Sequence, residues 1–208
     1  MFHTDSLIIR ILSLLSDLLI LHFLWILCCL PIVTIGASTT ALYYAMMKRI
    51  DTDEGSIVSN FWFSLKINLK QSTILWSIEL IVVIILLLDF RFCLMLPKDI
   101  KLLSLIIYGI IFIPLYLTAL YLFPLQAKFD NPIKITLKNS FMIAMLNLPC
   151  TLLLLLITIG FFVLVLIIPN LLLPLIIFGM GIYSYVTSFV YIHVFHKYIP
   201  NEDTTNVE

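Results

Sequence analysis

The sequence predicts an all-α integral membrane protein. It has about six transmembrane helices, two amphipathic helices at the cytoplasmic interface and a parallel internal repeat. Three observations carry this. The 208 residues are 62% hydrophobic and only 12% charged, with a mean hydropathy of +1.14, whereas a soluble domain is nearer half apolar and a quarter charged. Apolar runs of the length that a spanning helix needs, about 20 residues, recur six times. Lysine and arginine are distributed unevenly between the connections.

The six runs lie at about 7–29, 31–48, 72–90, 102–124, 149–168 and 171–195. The first is too long for a cleavable signal and has no small-residue cleavage site after it, so it is expected to remain as an anchor. The second is interrupted by Pro31, which cannot donate a backbone hydrogen bond, and by Gly36, which permits backbone angles other residues avoid. These two residues mark a tight apolar reversal, after which Ser38, Thr39 and Thr40 can cap a helix carrying Ala41 to Met47. A re-entrant half-span is the alternative for 31–48. With six crossings and an inside N-terminus, the inner side carries Arg10, Lys48, Arg49, Lys66, Lys70, Lys128, Lys134, Lys138 and Lys197, and the outer side Arg91, Lys98 and Lys101. Nine against three favours six full crossings with both termini cytoplasmic.

Between the spans, residues 56–71 place Val58, Phe61, Trp62, Leu65 and Leu69 on one helical face and Asn60, Ser64, Asn68 and Gln71 on the other. Lys66 and Lys70 lie at the margin, so this is expected as a helix lying on the inner leaflet. Residues 132–146 repeat the pattern: Pro132 suits a first helical position, and Lys134, Lys138 and Asn139 lie among Ile133, Leu137, Phe141 and Met145. Pro149 then breaks the chain into the fifth span. Thr40-Ala41-Leu42-Tyr43-Tyr44 is echoed by Thr118-Ala119-Leu120-Tyr121-Leu122, and Leu65-Lys66 by Leu137-Lys138. The unit is span, basic turn, surface helix, span, in one orientation, as in the parallel repeats of some transporters. Residues 1–198 form a single polytopic domain, and 199–208 a disordered polar tail.

Candidate intramembrane polar residues are Asp17, His22 and Glu79. An aspartate at mid-span costs roughly 3 kcal/mol on the insertion scale, against about 0.3–0.6 kcal/mol returned by each large apolar residue. Asp17 is therefore expected to face the bundle, with Arg10 and Ser13 on its own helix face. His22 is expected as a hydrogen-bonded packing residue. Glu79 is expected either to stay protonated or to meet Lys70. The cytoplasmic lysines are candidate contacts for anionic lipid or a partner. Cys28, Cys29, Cys93 and Cys150 lack zinc-site spacing, and Cys28-Cys29 reads as two small buried apolar residues. No nucleotide loop, metal-ligand helix pair or nucleophile elbow is present. No enzymatic activity, cofactor, metal or nucleic-acid partner is expected, and zero net charge fits the last.

Several motifs together resemble the YesL family of bacterial inner-membrane proteins. They are Asp17-Leu18, Leu24-Trp25 and the run Leu30-Pro31-Ile32-Val33-Thr34-Ile35-Gly36-Ala37-Ser38; then Phe61, Phe63, Lys66, Asn68, Lys70, Gln71, Ser72, Thr73 and Trp76. They continue with Tyr121, Phe123-Pro124-Leu125, Lys128-Phe129-Asp130-Asn131 and Leu137-Lys138-Asn139. The family often has Asn where this chain has His22, so an amide can serve there. The resemblance implies a multi-pass protein of the bacterial cytoplasmic membrane, associated with ATP-driven carbohydrate uptake transporters. It transfers no active site. It directs attention to Asn68, Gln71, Asp130 and Asn139, beside Lys66, Lys70, Lys128 and Lys138. The expected role is an accessory or interaction subunit contacting the bilayer and such a transporter. The alternatives are a stand-alone small-solute carrier using Asp17, and a membrane-embedded sensor, for which a soluble output domain is missing.

Overall fold

The computed structural model describes residues 3–167 and 172–199; the expected tail lies outside them from residue 200 on. The described residues form seven α-helices: α1 His3–Cys29, α2 Ile35–Asp51, α3 Ile57–Met95, α4 Lys98–Lys128, α5 Ile133–Leu146, α6 Leu148–Ile167 and α7 Leu172–Phe195. Short 3-10 turns at Ile32–Thr34 and His196–Tyr198 complete them. The all-α class expected from composition is the one observed.

Helix α2 is the centre of the bundle. Gly36, Ala37, Ser38, Thr40, Ala41, Leu42, Tyr43, Ala45, Met46 and Met47 are all buried. Its small residues let neighbouring backbones approach closely, which is how helices pack without a hydrophobic drive between them. Gly36 serves this end rather than unusual backbone angles, for it lies inside α2. A Cβ there would come within 2.6 Å of the Ser72 carbonyl oxygen and of Trp76 Cβ. Gly181 does the same for α7, where a Cβ would meet the Leu18 carbonyl oxygen at 2.5 Å. The expected Ser-Thr-Thr cap is not formed. Helix α2 starts after Thr34, and the hydroxyls of Thr39 and Thr40 donate to the Ile35 and Gly36 carbonyls within the helix.

Residues 56–71 do not form a separate surface helix. No proline or glycine occurs between Ile57 and Leu96, so nothing breaks the backbone ladder and α3 runs unbroken for 39 residues. Its buried face cuts across both expected faces: Asn60 and Ser64 turn into the protein beside Phe61 and Leu65, while Trp62 and Leu69 are exposed. Leu96, held extended before Pro97, ends the helix.

Helix α4 contains Pro114 and Pro124. Proline at 124 leaves the Leu120 carbonyl without its usual amide donor, and the Tyr191 hydroxyl donates to that carbonyl instead at 2.7 Å. Helices α5 and α6 meet at a bend of 98°. Pro149 cannot extend α5, and Asn147 leaves helical geometry at φ −115°, ψ 47°.

The outer half of α3, the first part of α4 and the length of α6 expose Ile81, Leu88, Leu102, Ile110, Leu156 and Phe162. An apolar surface on this scale requires lipid. By length and composition, Ile9–Cys29, Lys98–Lys128 and Phe178–Tyr198 can each cross a membrane, and the bent α5–α6 pair would be a fourth span. This is fewer than the six crossings expected, and α3, which carries the run at 72–90, is not among them. Helix α2 is short of spanning length at 17 residues and is wrapped by protein. The described part of α6 belongs to the bent pair.

Candidate functional site

Asp17 faces the bundle, as its insertion cost requires, but its partner is not on its own helix. Arg49, near the end of α2, donates Nε–H to Asp17 Oδ2 at 2.8 Å. The same guanidinium reaches Ser13 Oγ at 3.3 Å and pairs with Asp53 one turn on. Arg10, the expected neighbour, instead lines an adjoining groove with Leu14, Arg49, Ile50, Asp53, Tyr185 and Phe189. On sequence Arg49 belongs only to the inner basic cluster, because no local pattern joins two residues so far apart in the chain.

His22 is buried, accepts the Met180 backbone N–H at Nδ1 (3.2 Å) and stacks on Trp25. Trp25 donates in turn to Thr39 Oγ1 at 3.2 Å. His22 thus joins α1 to α7, and Trp25 joins α1 to α2, by directed bonds.

A second polar centre links α3, α4 and α5. Gln126 Nε2 donates to Asn68 Oδ1 at 3.1 Å, and Gln126 Oε1 accepts from Gln71 Nε2 at 3.0 Å and from the Thr136 hydroxyl at 3.1 Å. Gln71 also donates to the Asn131 carbonyl, and Asn68 to Ser64 Oγ at 3.2 Å. The expected residues Asn68 and Gln71 are therefore brought together. Gln126, the hub, is not among the residues singled out from sequence. Its one signal is its place at the end of an apolar run, where a lone amide must find partners.

The other expected contacts separate. Lys66, Lys70, Lys138 and Asp130 are exposed, and Asn139 lines a shallow cavity with Asn131, Phe129 and Tyr198. Lys128 binds Asp51 at 3.0 Å, and His196 approaches the same carboxylate at 3.3 Å. The Lys128 ammonium, which donates to Asp51, holds that carboxyl below its ordinary value, with His196 a lesser contributor. This clip ties the ends of α2 and α4 to the turn after α7.

Glu79 does not meet Lys70. Its Oε2 is buried with no hydrogen-bond partner, and the side chain lines a cavity of about 240 Å³ between α3 and α4. Among the described residues no group of three His, Cys, Asp or Glu side chains is placed to hold a metal.

Residues 18–90 match the family model described as a protein of unknown function, DUF624. The match runs from the second half of α1 through α2 and most of α3, taking in the reversal, the Gly36 contact, Asn68, Gln71 and Glu79. It supports similarity to a family of uncharacterised domains. No curated protein and no solved structure matches the chain.

Proposed function

We propose that this chain is a membrane-embedded accessory subunit that docks a partner on its cytoplasmic side, linked to carbohydrate uptake. The observation that carries the docking role is α3. At about 1.5 Å per residue its 39 residues measure about 58 Å, roughly twice a hydrocarbon core of about 30 Å. The stretch from Lys70 to Asp89 alone covers that core, so Ile57 to Leu69 continue beyond it. This extension exposes Trp62, Phe63, Lys66 and Ile67 together, with Lys70 exposed at its boundary, which is the mixture of aromatic, aliphatic and cationic groups that suits an interface. Its other face is occupied by α2. On a six-crossing topology, in which α2 and α3 also cross, the excess of lysine and arginine on that side supports a cytoplasmic location, and the YesL resemblance supports an ATP-driven sugar transporter as the partner.

A carrier is favoured less. Asp17 is held by Arg49, the amide network closes on itself, and the cavity at Glu79 is lined by apolar groups almost throughout. The groove at Arg10 and Arg49 and the parallel repeat are what favour a carrier. Purification of the tagged chain in nanodiscs from its native membranes tests the proposal. Transporter subunits should co-elute stoichiometrically and be lost from the Lys66→Glu, Lys70→Glu double variant, which should insert normally. Unchanged co-elution from that variant contradicts docking at α3. A chain that elutes alone while reconstituted vesicles accumulate solute favours the carrier.

A further inference from the structure

We propose that the cavity between α3 and α4 is a binding site for a compact lipophilic organic cation that enters from the bilayer, with Glu79 as its counter-ion. This site is independent of the docking role of α3. Glu79 lies nine residues from Lys70 and ten from Asp89, so at the helical rise it is about 13–15 Å from each, near the middle of the stretch of α3 whose length matches a hydrocarbon core. A carboxylate there is costly and is normally paired or functional. Here Oε2 is buried with no hydrogen-bond partner, and no ion pair reaches Glu79 among the described residues. The neighbouring volume is about 240 Å³, the space of about eight water molecules.

The chemistry of the walls selects the ligand. Apart from Glu79 they are almost wholly apolar, so a hydrated metal ion or a sugar would lose its water without replacement. Phe112 and Tyr116 line the cavity and stack on each other with ring centroids 5.7 Å apart. Aromatic faces beside a carboxylate suit an ammonium or similar cation bearing apolar groups. The one wall hydroxyl outside the tyrosine, Thr118, donates to the Pro114 carbonyl within α4, leaving Glu79 to set the charge. Val83 and Leu115, on the rim, are also exposed on the outer surface, so the opening faces lipid, where such cations concentrate.

The test is equilibrium binding of radiolabelled benzyltriethylammonium to the full chain in nanodiscs, with empty nanodiscs subtracted. The site predicts saturable binding of one probe per chain. Glu79→Gln should weaken it at least tenfold, and Ala119→Phe, which fills the cavity and keeps the carboxylate, should abolish it. An uncharged isostere of the probe should show no dependence on Glu79. Thermal unfolding of each variant establishes that it is folded, and Glu79→Asp should retain part of the affinity where Gln does not. Binding that only partitions linearly overturns the proposal. So does saturable binding of equal affinity in folded Glu79→Gln, which would leave an apolar cavity filled by lipid.

Discussion

Helices α2 and α4 each carry a Thr-Ala-Leu-Tyr stretch, and the two tyrosines reach the same ring. Tyr43 and Tyr121 both meet Tyr191 edge to face, at 5.4 and 5.6 Å. After each helix comes a turn and then a helix with a buried hydroxyl immediately before Leu-Lys: Ser64 in α3 and Thr136 in α5. From there the units diverge. The first continues as one helix from Ile57 to Met95, while the second breaks at Asn147 and turns by 98° into α6. The cause is local. Pro149 has no counterpart in α3, where the corresponding position is Ser77 if Leu137-Lys138 is matched to Leu65-Lys66. The bend is then held by Thr151, whose hydroxyl contacts the Ala144 carbonyl at 2.8 Å and Tyr121 Oη at 3.0 Å. One proline thus separates a unit with one extended helix from one folded back on the bundle.

The largest way to break the comparison is to separate α2 from α3. Gly36→Val should destabilise the protein by about 3 kcal/mol or prevent folding, since overpacking of this kind costs about 1–3 kcal/mol and here meets backbone as well as side chain. Thermal unfolding in detergent measures it. Next is Gln126→Leu, which leaves Asn68, Gln71 and Thr136 short of partners where the two units join. A loss of about 2 kcal/mol is expected from buried groups left unsatisfied. Thr151→Val should cost about 1 kcal/mol and widen the spread of α5–α6 distances while leaving α3 unchanged, as read by spin-label spectroscopy.

A double-mutant cycle of Asp17→Asn with Arg49→Gln should give a coupling of about 1 kcal/mol, because both side chains keep some solvent contact. The smallest effect is pH-dependent. Lys128 depresses the Asp51 carboxyl relative to the unfolded chain, so the stability from this clip is present above the ordinary carboxylate range and is lost as pH falls through it. Acidification below about pH 4 should raise hydrogen exchange at His196–Tyr198, and Asp51→Asn should remove that dependence.

The sequence foretells some of this for physical reasons and conceals the rest. The cost of a mid-span carboxylate places Asp17 inward whatever its partner, yet only the fold brings in Arg49. Pro149 announces the α5–α6 break because a proline excludes continuation. The continuity of α3 is equally written, in the absence of any breaker, but the change from amphipathic to mainly apolar composition near Ser72 suggests a joint. Periodicity distinguishes two faces at 56–71 without saying which meets water. In a bundle packed through small and polar residues, Asn60 and Ser64 turn inward and Trp62 outward. Gln126 stays hidden because one amide carries no period.

The most direct test of the account is a pair of distances in a variant with Cys28, Cys29, Cys93 and Cys150 replaced by serine or alanine. Spin labels at positions 62 and 90 sit near opposite ends of α3. Labels at 134 and 162 have the same separation in sequence but lie on either side of the bend. An unbroken helix gives about 42 Å for the first pair, and two arms meeting at the observed bend give about 28 Å for the second. That difference is the predicted result. Equal distances, or a first pair as short as the second, would mean that α3 folds back like its counterpart and does not carry Trp62, Lys66 and Lys70 clear of the membrane.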